Sequence, residues 1–390
     1  RRPLRRRLRD DLPRAAPGVM RLGVDGRELA AGARTGIGRY LREVLRAATA
    51  RGWRSTVYGD ASTVLEDAPG GVTLTRLAAP GTRWWDQVAL PRALRRSRAE
   101  VFLSPYYKGP VLAPCPVVLT VHDLYFIGYG GRRRPLRDAA LTAAARLYAR
   151  RARAIVTDSE HSRRAVVERL RVEPAKVTAI GVAVGAEFAP ALLADAARAR
   201  YGLGGSYVLS VGNFMPHKNL EGLLRAWASL PATLRAAHRL VLAGGDAARR
   251  PRLETLARAL DVTASVVFPG RIDDADLPGL YSACAAFVLP SLDEGFGLPA
   301  VEAMACGAPV IVSDRGALPE VAGPGAAVVE VGSEGALAAA LARVLLEPEH
   351  REALRRRGRA RAAAFAPEHT AGRVLDLLET VAGAAVTATR

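Results

Sequence analysis

The stretch Ala286-Phe-Val-Leu-Pro-Ser-Leu-Asp-Glu-Gly-Phe-Gly-Leu-Pro-Ala-Val-Glu302 passes from an apolar run, through a polar loop with two glycines, into a helix-like segment. Ala286–Leu289 reads as a buried strand of a parallel sheet, Pro290 ends it, and a helix is expected to begin near Gly297. Gly295 and Gly297 let the backbone approach a ligand closely, and the orphan N–H groups of the helix start offer an anion site. Glu294 in the loop and Glu302 in the second helical turn bracket that anion site. Two carboxylates so spaced suit the hydroxyls of a sugar and of a ribose on either side of a phosphate. A loop with a capping carboxylate is the plainer reading of Glu294 alone, and the spaced pair makes it the minority one.

The same strand–loop–helix rhythm runs outward in both directions. In the first half, strands are expected at Arg21–Asp25, Thr56–Tyr58, Val72–Thr75, Val101–Leu103, Val117–His122 and Ala154–Asp158, with helical periods such as Gly38–Ala50 and Pro135–Arg151 between them. The second half repeats it at Tyr207–Val211, Leu240–Ala243, Val266–Phe268, Ala286–Leu289 and Val310–Ser313. Such alternation is the signature of parallel α/β units. With 390 residues, 49% of them hydrophobic, the chain can bury two cores. The expected architecture is α/β: two doubly wound, Rossmann-like domains at residues 20–185 and 186–366 facing a central cleft. Gly181–Leu193 is the linker, and residues 367–390 form a terminal helix able to return to the first domain. Ligands of such sheets sit at the strand C-termini, so chemistry is expected there.

Three further motifs fall at those ends. In Ser210-Val-Gly-Asn-Phe-Met-Pro-His-Lys-Asn219 a strand stops at Gly212, and Lys218 stands just before the next helix. A lysine there can face the helix start at Gly297 and neutralise a diphosphate from the other side. A solvated lysine is the usual alternative, but Lys218 is one of only three lysines in a chain that otherwise uses arginine. In Thr120-Val-His-Asp-Leu124, His122 ends a strand and can hydrogen-bond a transferring group; from its residue type alone, a structural and a functional role stay open. Thr35-Gly-Ile-Gly-Arg-Tyr40 opens the first long helix. It lacks the third glycine of a dinucleotide fingerprint and fits a close backbone approach to the far end of a ligand. No nucleotide-binding P-loop, zinc-protease helix or serine nucleophile elbow is present. Asp274-Ala-Asp276 imitates a metal-binding pair but precedes Leu277 and Leu280 as an ordinary helix N-cap, so no metal site is expected.

Composition narrows the partners. The formal net charge is +18, and all of it lies in residues 1–190, which hold 35 Lys/Arg against 17 Asp/Glu. An excess of this kind invites an anionic partner. Aromatic residues are only 6%, and no basic stretch interleaves with stacking aromatics, which argues against nucleic acid. Cys115, Cys284 and Cys306 have neither disulfide nor zinc spacing and read as reduced thiols of a cytosolic protein. No apolar run is long enough to span a membrane. Residues 1–19, crowded with seven arginines and three prolines, read as a basic disordered tail or a misassigned start.

From about Met20 to Gly383 the sequence resembles the retaining GT-B glycosyltransferases of family 4. The likeness rests on Gly-Phe-Gly-Leu-Pro with the spaced Glu294 and Glu302, and on the continuation to Ile311 with Leu318-Pro-Glu-Val321. It also rests on Pro216-His-Lys-Asn219, His122-Asp123, Gly36-Ile-Gly38 and Ser159-Glu-His-Ser162. The resemblance implies a donor-binding second domain and an acceptor-side first domain. It implies that Glu302 holds the donor ribose, that Glu294 contacts the donor sugar and that His122 meets the transferring group. Lys218 and the amides around Gly297 and Leu298 would hold the diphosphate, with Gly38 near its outer phosphate. The implied catalytic set is His122, Lys218 and Glu294. The implied donor-binding set is Gly36, Gly38, Gly212, Asn213, Lys218, Arg271, Phe296, Gly297, Leu298 and Glu302. Many members carry arginines where this chain has Asn213 and His217, which leaves Lys218 as the side-chain cation on the diphosphate unless Arg271 or another arginine reaches in.

The resemblance further implies metal-independent transfer of a hexose with retention of configuration. GDP-mannose is the favoured donor, with a UDP-sugar as the alternative, and the acceptor is a glycan or lipid-linked sugar. A hydrolysing nucleotide-sugar epimerase and a non-catalytic nucleotide-sugar binding protein are the competing readings. Two basic clusters in the first half suggest work at an anionic membrane surface on the cytoplasmic side. One is Arg92, Arg95, Arg96 and Arg98 after Trp84 and Trp85; the other is Arg132, Arg133, Arg134 and Arg137 after Tyr125, Phe126 and Tyr129.

Overall fold

A computed structural model of the chain describes residues 19–29, 35–65, 70–125, 127, 135–245 and 248–387. Residues 1–18 of the basic tail, and Phe126, Tyr129 and Arg132–Arg134 of the second basic cluster, lie outside the described residues.

Two parallel sheets organise the chain. The first contains β1 (Arg21–Asp25), β2 (Arg54–Gly59), β3 (Val72–Arg76), β4 (Val101–Ser104), β5 (Val117–Val121), β6 (Ala154–Thr157) and β7 (Val177–Ala179), in the order β3-β2-β1-β4-β5-β6-β7. The second contains β8 (Ser206–Gly212), β9 (His238–Gly244), β10 (Val266–Gly270), β11 (Ala286–Leu289), β12 (Val310–Ser313) and β13 (Ala326–Val329), in the order β10-β9-β8-β11-β12-β13. Central strands such as Val-Phe-Leu-Ser of β4 and Ala-Phe-Val-Leu of β11 are buried at every residue. That is why they read as continuous apolar runs rather than alternating ones. In each sheet the strand order reverses once, between β1 and β4 and between β8 and β11. A crevice opens at such a reversal, because neighbouring loops leave for opposite faces of the sheet. The loops after β1, β4, β8 and β11 flank these crevices and are well placed to line a ligand site.

The expected strands and helices are present with ends shifted by a residue or two. Two strands were not anticipated, β7 and β13. Both are sheet edges, and their short, partly exposed sequences, Val-Thr-Ala and Ala-Ala-Val-Val, carry too little apolar signal. Residues 181–193 carry no helix or strand, and the Val184 N–H donates to the Phe365 carbonyl at 2.9 Å. The last helix, Pro367–Thr387, runs back against the first, Gly36–Ala50. Arg51 pairs with Asp376 at 2.7 Å, and Leu375 and Leu378 share an apolar cluster with Leu41 and Val44. The helical stretch that carries Trp84 and the first basic cluster is interrupted by one wide turn, Trp85–Ala89, ahead of Leu90–Ser97. Pro91 has no N–H to give the preceding turn, and the extra residue accommodates it. All three cysteines are free, and burial pushes the Cys284 and Cys306 thiols up to about 12, so neither is a reactive nucleophile at neutral pH.

Candidate active site

The ladder between β5 and β6 pairs Val121 with Thr157, so the next residues on the two strands, His122 and Asp158, emerge side by side. The imidazole Nδ1 lies 2.7 Å from Asp158 Oδ2, and the carboxylate, an acceptor only, fixes Nδ1 as the donor. Tyr40 stands edge-on to the ring at 5.2 Å, its own hydroxyl bonded to Thr120 at 2.9 Å. Burial alone would lower the imidazolium pKa. The Asp158 carboxylate and its hydrogen bond, with Asp123 and Glu28 further off, more than reverse this and raise it. Nε2 is buried and has no hydrogen-bond partner among the described residues. A buried ring nitrogen without a partner among the described residues is available to a ligand.

The loop carrying Glu294 is clamped onto that same corner. Ser159 Oγ donates to the Gly295 carbonyl at 2.7 Å, and Ser162 Oγ lies within reach of both that carbonyl, 3.1 Å, and the His122 carbonyl, 3.2 Å. A Cβ at Gly295 would sit 2.2 Å from the His122 carbonyl oxygen, so only glycine allows this approach. Glu320 accepts from the backbone N–H groups of Glu160 and His161, at 2.8 and 3.1 Å, capping a helix of the other domain. Ser159-Glu-His-Ser162 and Leu318-Pro-Glu-Val321 are thus two halves of one interdomain joint. A cavity of about 540 Å³ opens beside it, lined by Asp123, Tyr125, His161, Arg169 and Glu294 among others.

At the β8/β11 reversal, Lys218 Nζ meets Glu294 Oε1 at 2.5 Å, and Ser291 Oγ donates to the same oxygen at 2.7 Å. Both charged side chains are largely buried. The stem of Lys218 crosses the backbone at Gly212. Gly297 holds φ +91° at the start of helix Leu298–Ala305, where a Cβ would fall 2.4 Å from Leu318 Cδ2. Gly36, at the start of helix Gly36–Ala50, lies against the Leu298 side chain, so two helix starts from different domains meet there. Gly38 is buried behind Gly36, its N–H capped by Thr35 Oγ1 at 3.0 Å. Asn213 and Arg271 are exposed, each one residue beyond the end of its strand, β8 and β10. The Phe296 ring turns away into the core against Phe365, centroids 5.3 Å apart, so only its backbone belongs to the site.

Glu302, 1% exposed, is gripped from both domains. Tyr281 donates to its Oε2 at 3.0 Å, and Arg39 Nη1 donates to its Oε1. The same guanidinium reaches Asp274 at 3.1 Å and lies over the Phe188 ring. Burial pushes the Glu302 carboxyl up, offset in part by Arg39 and the Tyr281 hydroxyl. The sequence reading missed Arg39, although it lies inside the quoted Thr35–Tyr40 motif, because nothing local says which domain an arginine faces. The N-cap reading of Asp274-Ala-Asp276 holds for the position of Asp276 but not for its side chain. Asp276 precedes helix Leu277–Ala283 but makes no side-chain cap; it takes the Tyr201 hydroxyl at 2.8 Å, while Asp274 serves Arg39. Among the described residues no group of three or more metal-ligating side chains gathers.

The first sheet contributes a second unforeseen cluster at its own reversal. Arg27 bridges Asp25, 2.5 Å, and Asp86, 2.8 Å, and Tyr106 donates to Glu28 at 3.3 Å. Burial, with Arg27 nearby, lowers the Lys108 pKa despite the surrounding carboxylates. This charged and aromatic cluster follows the C-terminal ends of β1 and β4.

Comparison with known proteins fits both halves of this arrangement. Residues 34–187 match the family described as Glycosyltransferase Family 4, and residues 197–361 match Glycosyl transferases group 1. The chain belongs to the family 4 glycosyltransferases. This family 4 chain is 33% identical over 221 residues to O-antigen chain mannosyltransferase B of Escherichia coli, covering 56% of this chain and 58% of that protein. The match thus spans less than two thirds of that relative's length. Sucrose-phosphate synthase from Thermosynechococcus elongatus has a TM-score of 0.78 at 24% identity over 94% of this chain and 100% of that one. Anabaena HepE in complex with UDP and glucose gives 0.74 at 18%, covering 93% and 100%. These structural likenesses establish the GT-B fold, and the two family matches bear out the resemblance to family 4.

Proposed function

We propose that this family 4 glycosyltransferase moves a hexose, with mannose favoured, from a nucleotide diphosphate sugar onto a glycan or lipid-linked acceptor, retaining the anomeric configuration. The observation that carries the reading is the convergence at the β8/β11 reversal: Lys218 pairs with Glu294, two helix starts meet at Gly36 and Leu298, and the loop carrying Glu294 packs through Gly295 on the backbone of His122, which is paired with Asp158. Breaking the glycosidic bond leaves negative charge on the departing diphosphate while the sugar becomes cation-like. Lys218 and the N–H groups at Gly297 and Leu298 are placed to take up that negative charge, a contribution that needs no metal. Glu294, already paired with Lys218, contacts the donor sugar, and Glu302 holds the ribose. His122 Nε2, unpartnered among the described residues, hydrogen-bonds the transferring sugar, and Asp158 keeps its ring oriented. The acceptor proton goes to the leaving phosphate on the face of the sugar that the acceptor attacks. The acceptor enters against Glu28, Tyr106 and Lys108.

The mannosyltransferase relative supports mannose, and therefore GDP-mannose, while a UDP-sugar is the alternative donor. A thermal-shift panel of nucleoside diphosphates and their sugars tests this, because a ligand that binds only the native state raises apparent stability once its concentration exceeds its dissociation constant. GDP and GDP-mannose are expected to give the largest shifts. A panel without any shift would remove the donor site from the reading.

A further inference from the structure

Arg39 belongs to the first domain, one turn into its opening helix, yet the partners of its guanidinium lie elsewhere. It donates to Glu302 and, at 3.1 Å, to Asp274, both of the second domain, and it rests on the Phe188 ring with the centroid at 5.3 Å. With Tyr281 on the other oxygen, Glu302 is sealed at 1% exposure. The space left beside it, between Arg39, Glu43, Phe188 and Leu298, is about 10 Å³, room for one water at most. A ribose whose hydroxyls are to donate to Glu302 has no way in while Arg39 stays.

The chemistry explains why an arginine sits there. A closed cleft without donor would bury the Glu302 carboxylate with only a tyrosine hydroxyl for company, and an unpaired buried charge is costly. A guanidinium stays charged at any accessible pH and offers a flat fork of donors to two carboxylates at once. We propose that Arg39 is an interdomain latch: it competes with the donor's ribose for Glu302 and holds the cleft shut until donor displaces it. The proposal rests on the reading of Glu302 as the ribose ligand. Because the latched state cannot bind donor, it raises the apparent dissociation constant in proportion to its population. Removing the latch therefore tightens nucleotide binding, the reverse of what losing a donor ligand does.

Calorimetric titration of the full chain with GDP, UDP and their 2′-deoxy counterparts tests the latch. Arg39→Met keeps the apolar stem on Phe188 and removes the charge; Asp274→Asn weakens the latch from its other anchor. Both variants are first shown to be folded at the assay temperature by circular dichroism. Arg39→Met is expected to bind the preferred ribonucleotide about three- to tenfold tighter, given a latched population of roughly 70–90%. Asp274→Asn should shift in the same direction by less, with the preference for ribose over deoxyribose kept in both. Unchanged or weaker binding by Arg39→Met overturns the latch. If instead the wild type binds ribo- and deoxyribonucleotide alike and Glu302→Gln leaves affinity unchanged, the ribose reading of Glu302 has failed. That outcome is visible with Arg39 intact, so the two failures are separable.

Discussion

Asp158 was named only as the last residue of an expected strand, yet it decides what His122 can do. Register supplies the reason: in parallel strands paired Val121 to Thr157, the following residues are neighbours, and no spacing rule along one strand reveals that. The consequence is a histidine whose pKa is raised in the fold, since Asp158 outweighs the cost of burial. The sign is fixed by that direction. The stability His122 contributes is fully present below the ordinary histidine pKa of about 6.5 and is lost as pH rises through the higher folded value. Asp158→Asn should move the His122 titration down and remove that extra stability near neutral pH. An NMR pH titration of the imidazole protons, assigned with His122→Ala, reads both proteins. An unmoved His122 in Asp158→Asn would mean that the carboxylate does not set its protonation.

Elements were more legible than their assembly. Central strands announced themselves because burial on both faces demands unbroken apolar runs, and glycines marked the sharp exits from them. Gly297 illustrates how firmly one such exit is built, with φ +91° and Leu318 Cδ2 in the place of a Cβ. Gly297→Ala should destabilise the second domain by about 1–3 kcal/mol and weaken nucleotide binding, because the helix start would shift away from the anion. Urea unfolding with and without GDP measures both effects; a wild-type midpoint would show that the turn is not needed. The edge strands β7 and β13 escaped notice for the opposite reason, since half-exposed edges need little apolar sequence.

At the scale of the molecule, sequence gave the charge asymmetry but not its geography. Trp85 proves to be core, Trp84 is 52% exposed beside exposed Arg83, and Arg92, Arg95 and Arg96 are exposed on the helix that follows. Tyr125 belongs to the cleft instead, stacked on His217 at 4.8 Å. Leu136, 88% exposed, adds an apolar residue near Arg137. No helix among the described residues is long and apolar enough to cross a membrane. Peripheral binding remains open to a basic, aromatic surface, each basic residue adding about 1 kcal/mol near an anionic leaflet. Protein lacking residues 1–19 should co-sediment with anionic vesicles and not neutral ones, and Trp84→Ala should weaken that binding. Indifference to anionic vesicles at low salt would favour a soluble acceptor. The joint between the domains is legible only as separate motif fragments, because nothing local says that Ser159 and Ser162 meet the loop carrying Glu294 while Glu320 caps the helix starting at Glu160.

In the proposed mechanism Lys218 is the cation that receives the leaving diphosphate. Release of nucleoside diphosphate from GDP-mannose and UDP-glucose, followed in excess EDTA for the wild type and for folded Lys218→Ala, measures this. The wild type should release product with the metal removed. Lys218→Ala should be slower by about 30-fold or more, matching the roughly 2–4 kcal/mol of one such contact. Wild-type release by Lys218→Ala, or a strict need for a divalent cation, would contradict it.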